Sequence, residues 1–198
     1  MRIAPPLTPP LDRLASALAA EPAAIESSDE LVWAAVAVVL LERPAPAGPA
    51  LLLVRRAERP GDPWSGHMGL PGGRRDGADA DLLDTAIRET REEVGVGLSR
   101  AELIGSLDDV APRSPVLPPI AVRPFVFVLR SEPVLALDAE IAAAGWVSLA
   151  RLLDPAVYRT VEVEIRGGRR LTPAYVTDAG IVWGMTERIL TPLLDRLR

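Results

Sequence analysis

The chain contains no cysteine. Disulfides, thiolate metal sites and a cysteine nucleophile are therefore excluded, and a cytoplasmic setting is favoured over a secreted one. Histidine occurs once, at His67, and no Ser-His-Asp set is visible. A basic excess is also missing. The formal net charge is -5, which argues against bulk nucleic acid or an acidic membrane as partner, since such binders present a basic face. The opening "MRIAPPLTPPLDRLASALAAEPAAI" has prolines where a signal peptide needs an apolar run. The longest apolar stretches, "LVWAAVAVVLL" and "IAVRPFVFVL", fall short of a membrane span. What remains is 198 residues, 48% hydrophobic and 25% charged, an ordinary composition and enough for one domain with a substantial core.

Residues 1–30 read as a proline-containing N-terminal segment with a short helix over 11–20, where Leu11, Leu14 and Leu18 share one side. Residues 31–198 read as a single domain. The run 31–41 is too apolar and too branched for a surface helix and predicts a buried strand. "LLLVRRAE" predicts a second strand, the two forming a hairpin with a long tip over "ERPAPAGPA". A loop dense in glycine and proline, "RPGDPWSGHMGLPGG", follows. A helix then starts at Asp79 or Asp81, with Leu83, Ile87, Thr90 and Val94 on one face, and ends at Gly95 and Gly97. Asp79, Asp81 and Asp84 fall where the free N–H groups of a helix start favour acids. "AELIGSLDDV" and "IAVRPFVFVLR" predict strands around the loop "APRSPVLPP", and "AGWVSLARLLD" a strand edge running into a short helix. "VEVEIRGGRRLTPAYVT" predicts a hairpin turned at Gly167-Gly168, and "IVWGMTERILTPLLDRL" a closing amphipathic helix. The order fits an α/β fold with a mixed sheet between helices.

The chemistry concentrates in the helix. Glu89, Glu92 and Glu93 stand three and four residues apart, so their carboxylates converge near one side. Like charges at such spacings cost an isolated helix about 0.2–0.5 kcal/mol per pair. A hard divalent cation such as Mg²⁺ reverses that sign, because it takes oxygen ligands and shares them with substrate phosphates. Arg88 reaches Glu92 at i,i+4 and can hold one carboxylate in its rotamer, while Arg91 faces elsewhere. "RETREE" alone would equally suit a solvated helix. The glycine turn fifteen residues before Arg88 is what distinguishes it.

The segment from Gly73 to Val96 resembles the Nudix box, the loop–helix signature of hydrolases that cut nucleoside diphosphates linked to another group. The matching positions are Gly73, Arg88, Glu89, Glu92, Glu93, Gly95 and Val96. The usual box has glutamate at the sixth position after the glycine and arginine at the fourteenth. Here Asp79 is sixth and Arg88 fifteenth, so one residue has been gained. That insertion, and "WGMTERIL" near the C-terminus, are similar to the branch containing coenzyme A pyrophosphatases. The resemblance implies an α/β/α sandwich and a requirement for Mg²⁺ or Mn²⁺. It implies that Glu89 and Glu93 are the main metal ligands, with Glu92 a further ligand or water-orienting base and the carbonyl of Gly73 adding an oxygen. It implies that Arg88 braces the helix acids, and it is compatible with a homodimer. For the general base Glu92 remains open, as does a downstream acid, Glu140 first and Asp138 behind it. A non-catalytic nucleotide-binding module is the alternative to an enzyme, and the presence of all three glutamates argues against it.

The substrate is less sharply marked. The coenzyme A branch has a Thr-x-Thr-Ser/Ala run upstream, and Arg55, Arg56, Ala57 and Glu58 occupy those positions here. The arginine expected next falls on Asp62, with Arg59 near, and Leu70 replaces an aromatic before "PGG". Coenzyme A or an acyl derivative is the first expectation, cleaved to 3′,5′-ADP and (acyl-)4′-phosphopantetheine. ADP-ribose, a dinucleotide or another nucleotide derivative is the alternative. His67, beside the glycines, suits a phosphate or water contact or plain loop packing. Arg55, Arg56, Arg74 and Arg75 make a basic group near the expected mouth. Trp64 and Trp183 suit stacking on a base, whereas Trp33 and Trp146 sit in strand-like surroundings and are expected in the core.

Overall fold

The computed structural model describes residues 7–18, 24–25, 31–59, 64–112, 119–165 and 168–198. A seven-stranded sheet organises the chain. Its main path runs β3 (Met68–Gly69), β2 (Ala50–Arg56), β1 (Val32–Leu41), β6 (Ile120–Leu129) and β5 (Leu103–Ser106). Off this path β4 (Gly72–Arg74) pairs with β1, and β7 (Ile141–Ser148) pairs with β2. The sheet is mixed, because β1 and β6 run parallel over ten residue pairs, Val32↔Ile120 to Leu41↔Leu129, while the other pairings are antiparallel.

Alternation along the strands divides the core in two. Ala34, Val38 and Leu40 of β1, Leu51 and Leu53 of β2, and Val126 and Val128 of β6 join one cluster with Leu11, Leu14 and Leu18 and with Ile189, Leu190, Leu193 and Leu194. Ala35, Ala37, Val39, Leu41, Leu52, Val54 and Phe127 join the other with Leu83, Ala86 and Val94. Both faces are covered, which is why β1 and β6 read as continuous apolar runs. The helices on the first face are α1 (Pro9–Ala17) and α4 (Gly184–Asp195), and α2 (Leu82–Val94) lies on the second. This is an α/β fold with helices flanking a mixed sheet.

Several elements differ from expectation. Helix α1 begins at Pro9 rather than residue 11, since proline at the first helical turn lacks only an N–H that has no intrahelical partner. Residues 19 and 20 of the expected helix lie outside the described residues, as does most of the loop "APRSPVLPP". The closing segment is not all helix. Gly180–Trp183 forms a strand, β10, antiparallel to β9 (Gly168–Thr177), and the helix starts only at Gly184, where φ is +70°. With β8 (Tyr158–Ile165) these strands make a separate three-stranded sheet in the order β10-β9-β8. Ile165 pairs with Gly168, so the hairpin connection is residues 166 and 167, one position before the expected Gly167-Gly168, and both lie outside the described residues. The short helix α3 (Leu149–Leu153) follows β7 as expected. Trp33 and Trp146 are half-buried rather than core: Arg123 stacks 5.4 Å from the Trp33 ring centroid, and the buried Nε1 of Trp146 has no hydrogen-bond partner.

Candidate active site

Helix α2 is fixed at both ends. The carboxylate of Asp81, at the N-cap, accepts from the backbone N–H of Asp84 at 2.9 Å, and Gly95 closes the other end in the left-handed region at φ 73°. Leu83, Ala86, Thr90 and Val94 are buried, which holds the helix by its apolar face. Thr90 donates its hydroxyl to the carbonyl of Ala86 at 2.7 Å, so a buried polar group is satisfied within the helix. The acids are thereby aimed at the strand that carries the double glycine.

That strand is β4, and here the structure corrects the expectation that Gly73 lies in a loop. Gly72 and Gly73 pair with Val36 and Ala35 of β1. The backbone of β1 approaches so closely that only a glycine fits: a Cβ on Gly72, whose φ is +149°, would stand 2.3 Å from the carbonyl oxygen of Ala35 and 2.6 Å from Val36 Cα. A Cβ on Gly73 would stand 2.5 Å from Cδ of Glu89. The first glycine is required by backbone, the second by a carboxylate. Glu93 completes the contact, its Oε2 accepting from the Gly72 N–H at 2.9 Å.

Burial changes the acids unequally. Glu93 is 4% exposed, and desolvation pushes its carboxyl up to about 7, with the Gly72 N–H and the guanidinium of Arg56, 3.8 Å away, opposing the rise. Desolvation also raises Glu89, against the hydrogen bond from Arg88. Glu92 is half-exposed and lies outside this pocket. Arg88 is the hub. Its Nη1 donates to Glu89 at 2.8 Å and to Glu92 at 2.9 Å, and its Nε and Nη2 donate to the two oxygens of Asp79 at 2.9 and 3.0 Å. Nη2 also reaches the carbonyl of Arg74 at 3.2 Å.

Asp79 is therefore not a helix-start acid. It is buried, and it accepts from Arg88, from the Asp76 N–H and from the hydroxyl of the fully buried Thr85. The Arg88 hydrogen bond holds its carboxyl well below the usual carboxylate range. The signal for this role was its place sixth after Gly73. Nothing in the sequence marked Thr85, whose hydroxyl fixes the Asp79 rotamer.

The remaining candidates divide. Asp138 and Glu140 come to the open side of the acids: the Asp138 N–H donates to the carbonyl of Glu93 at 3.1 Å, and Oδ1 of Asp138 accepts from the Glu140 N–H at 2.7 Å. The Glu140 carboxylate is paired with Arg59 at 3.1 Å, both half-exposed. Arg56 belongs to the acid pocket through Glu93, but Arg55 is exposed elsewhere, in a cavity beside His67. Arg74 offers its carbonyl to Arg88 and its side chain to solvent. Arg75 turns away, donating to the carbonyls of Asp79 and Ala80 at 3.3 and 3.2 Å. The expected basic mouth is thus dispersed. His67 packs its ring 4.6 Å from that of Trp183.

Among the described residues no group of three or more acidic or imidazole side chains is arranged to hold a metal ion. Arg88 occupies Glu89 and Glu92, and the Gly72 N–H occupies Glu93. The donor set still suits a hard divalent cation. Carboxylate oxygens and a strand carbonyl are the ligands such ions take, and a cation beside Glu93 would supply the charge compensation that its burial leaves incomplete.

Fold and site together define a hydrolase of the α/β/α sandwich type, with an acid-bearing helix locked against a double glycine. The NUDIX domain model matches residues 32–164, and the chain belongs to the Nudix family. Over 167 residues it is 32% identical to NudL of Salmonella newport, named an uncharacterized Nudix hydrolase, covering 81% of this chain and 80% of that one. It is 38% identical over 126 residues to an uncharacterized protein of Schizosaccharomyces pombe, but spans only 38% of that protein's length against 61% of its own. Among solved structures, a MutT/nudix family protein from Enterococcus faecalis superimposes with a TM-score of 0.61 at 16% identity, over 87% of this chain and 64% of that one. A MutT protein from Methanosarcina mazei gives 0.53 at 20% identity, over 86% and 96%. These likenesses establish the fold.

Proposed function

We propose that the protein hydrolyses the pyrophosphate bond of a nucleoside diphosphate derivative with the help of Mg²⁺ or Mn²⁺. The observation that carries this reading is the packing of the Glu89 and Glu93 carboxylates against Gly73 and Gly72, at distances that exclude any side chain on the strand. Glu89 and Glu93 would hold the metal, with the Gly73 carbonyl beside them and Glu92 at the exposed margin. A bound divalent ion neutralises phosphate charge and lowers the pKa of bound water. The chain's own residues do the rest. Arg88, anchored on Asp79, fixes Glu89 and Glu92 without touching phosphate. Arg56 lends positive charge beside Glu93. Glu140 is the general base in this reading, since it stands on the open side and exchanges its partner Arg59 for solvent at little cost, both being half-exposed. Asp138, with its N–H tied to the helix end, positions that loop.

For the substrate, ADP-ribose, a dinucleotide or another nucleotide derivative is favoured over coenzyme A. The inserted residue and "WGMTERIL" were the grounds for coenzyme A. In the structure Glu187 of that segment is buried and accepts from Tyr158 and Thr191, a contact that fastens α4 to β8. Such a fastening carries no substrate preference. A NUDIX domain of Shewanella oneidensis NrtR, of similar fold at 21% identity and a TM-score of 0.52, was crystallised with ADP ribose. At that identity it motivates the panel rather than the answer. No helix among the described residues is long and apolar enough to cross a membrane, and a cytoplasmic location is part of the proposal.

The test is incubation with Mg²⁺ or Mn²⁺ and coenzyme A, acetyl-coenzyme A, NADH, ADP-ribose, diadenosine polyphosphates and nucleoside triphosphates, with products separated by mass. Cleavage at a pyrophosphate bridge that stops with EDTA is expected. No cleavage of any member would overturn the proposal in favour of a binding module.

A further inference from the structure

The segment that carries Glu140 spans residues 130–140, between β6 and β7. It contains no helix or strand of its own and runs across the carboxyl end of α2. The Ala136 N–H donates to the carbonyl of Val94 at 2.9 Å and the Asp138 N–H to that of Glu93 at 3.1 Å. Both are carbonyls that a helix end leaves without an intrahelical partner. Leu135 packs with the cluster that holds Leu83 and Val94. Resting on the reading of Glu140 as the general base, we infer that Gly95 and the Asp138 carboxylate are positioning residues for it.

Glu140 is tied through its backbone on both sides. Its N–H donates to Oδ1 of Asp138 at 2.7 Å, and its carbonyl accepts from the Ala57 N–H at 2.7 Å. The side-chain ion pair with Arg59, at 3.1 Å and half-exposed, is too weak to place a loop. The backbone therefore sets where the base stands, and the end of the acid helix sets the backbone.

Glycine is needed at position 95 for two separable reasons. Its φ of 73° lies in the left-handed region, which asparagine also visits. The second reason is room: a Cβ on Gly95 would stand 2.8 Å from Cβ of Ala136, 3.1 Å from its N and 3.2 Å from its O. Ordinary carbon contacts lie at about 3.5 Å or more, so one side must give by about 0.7 Å. The helix is locked by buried Leu83, Ala86, Thr90 and Val94, whereas Ala136 and Asp138 are exposed. The loop yields. It carries Glu140 with it, while Glu89 and Glu93 keep their places.

The experiment measures kcat and KM at saturating Mg²⁺ on the member of the panel above that wild type cleaves fastest. The full chain is compared with Gly95→Asn, Asp138→Ala, Asp138→Asn and Glu140→Gln, and with the first two substitutions each combined with Glu140→Gln. Gly95→Asn keeps the turn but not the room, and should lose about ten- to a hundredfold in kcat with little change in KM. In the Glu140→Gln background the same substitution should change kcat by less than about threefold, because a base already removed cannot be misplaced. Asp138→Ala should follow that pattern. Asp138→Asn, which loses the charge but keeps an oxygen acceptor for the Glu140 N–H, should recover most of the Asp138→Ala loss. A crystal structure of Gly95→Asn should show residues 136–140 displaced with Glu89 and Glu93 in place. Circular dichroism checks each variant; if Gly95→Asn does not fold, the Asp138 variants, altered on an exposed loop, decide. Additive losses beside an impaired Glu140→Gln would overturn the positioning role and leave the base standing, as would an unmoved loop. Asp138→Asn as impaired as Asp138→Ala would overturn the role of the Asp138 acceptor. Near wild-type kcat in Glu140→Gln would remove the base assignment itself, and a wild type that cleaves nothing would remove the hydrolase reading; either result takes the positioning role with it.

Discussion

Replacing each of the two glycines by alanine separates what the site needs from what the fold needs. In Gly73→Ala the new methyl would begin 2.5 Å from Cδ of Glu89 and 2.5 Å from Oε2. Ordinary carbon contacts lie at about 3.5 Å or more, so the carboxylate must retreat by about 1 Å. It is the end of a flexible side chain, so the retreat should cost stability at the low end of the roughly 1–3 kcal/mol typical of overpacking. For a chain of this size that lowers the melting temperature by about 2–4 °C per kcal/mol. A displacement of about 1 Å in a positioned group can cost about a hundredfold in rate. Gly73→Ala should therefore fold, melt a few degrees low, and lose about two orders of magnitude in kcat. In Gly72→Ala the methyl meets backbone, 2.3 Å from the Ala35 oxygen and 2.6 Å from Val36 Cα, at a φ of +149°. Neither atom can swing aside, and the left-handed strain adds roughly 1–3 kcal/mol. That variant should melt on the order of 10 °C low or fail to accumulate. Differential scanning fluorimetry and Mg²⁺-dependent turnover, measured on both proteins, decide the matter. A Gly73→Ala protein with wild-type kcat would refute the claim that Glu89 must occupy its observed position.

Other outcomes follow from the same contacts. Glu93→Gln should fold and lose at least a hundredfold in kcat, because a charged ligand becomes neutral; wild-type turnover in the variant would exclude Glu93 as a ligand. The Glu93 carboxyl is raised to about 7 in the folded protein, so in EDTA its contribution to stability is full below the unfolded value, near 4.5, and is lost as pH rises through 7. Thermal melts without metal should accordingly show wild type falling progressively behind Glu93→Gln as pH rises from about 4.5 to about 7 and staying behind above it, and Mg²⁺ should restore wild type alone. Asp79 is lowered, so its contribution is present above the unfolded value and disappears on acidification. Asp79→Asn should cost roughly 3 kcal/mol in urea titrations at pH 7, the low end for a broken buried pair because Arg88 keeps some access to water, and the difference from wild type should shrink at low pH. Arg88→Ala should reduce kcat more than it raises KM, since it positions carboxylates; a pure KM effect would assign it to phosphate instead.

The sequence made the frame readable wherever one physical signal dominated. Strands β1 and β6, buried on both faces, could hardly be anything else, and the helix over Leu82–Val94 is capped by Asp81, the second of the two expected starts, and by Gly95, the first of the two expected terminating glycines. What escaped depended on tertiary partners. Gly72 and Gly73 look like loop residues until β1 is beside them, because glycine's lack of a side chain is invisible as a pairing signal. Trp183 lies on a strand only because β9 stands next to it, and the helical pattern of "TERILTPLLDRL" masked the boundary at Gly184. Asp79 resembled a capping acid by position, and its true partner lies nine residues on, with a geometry no helical spacing anticipates. The basic group failed as a cluster because neighbours in sequence on a strand point to opposite faces, which sends Arg55 and Arg56 to different cavities.

The parallel pairing of β1 with β6 has a consequence for how the protein is made. Val32 and Ile120 are 88 residues apart and adjacent in the sheet, whereas the local β1–β2 hairpin is registered through only Leu40↔Leu51 and Leu41↔Ala50. The centre of the sheet thus depends on contacts of high sequence separation, which slow folding because a long loop must close before the contacts reward it. Both β4 and α2 lie inside that loop. The double glycine pairs with β1, and the acid helix packs against both strands, so the site is complete only when all of these contacts have formed. A chain emerging from synthesis carries its full set of acids well before it carries a site, and metal-dependent stabilisation should be the last property to be acquired on refolding, later than helix content.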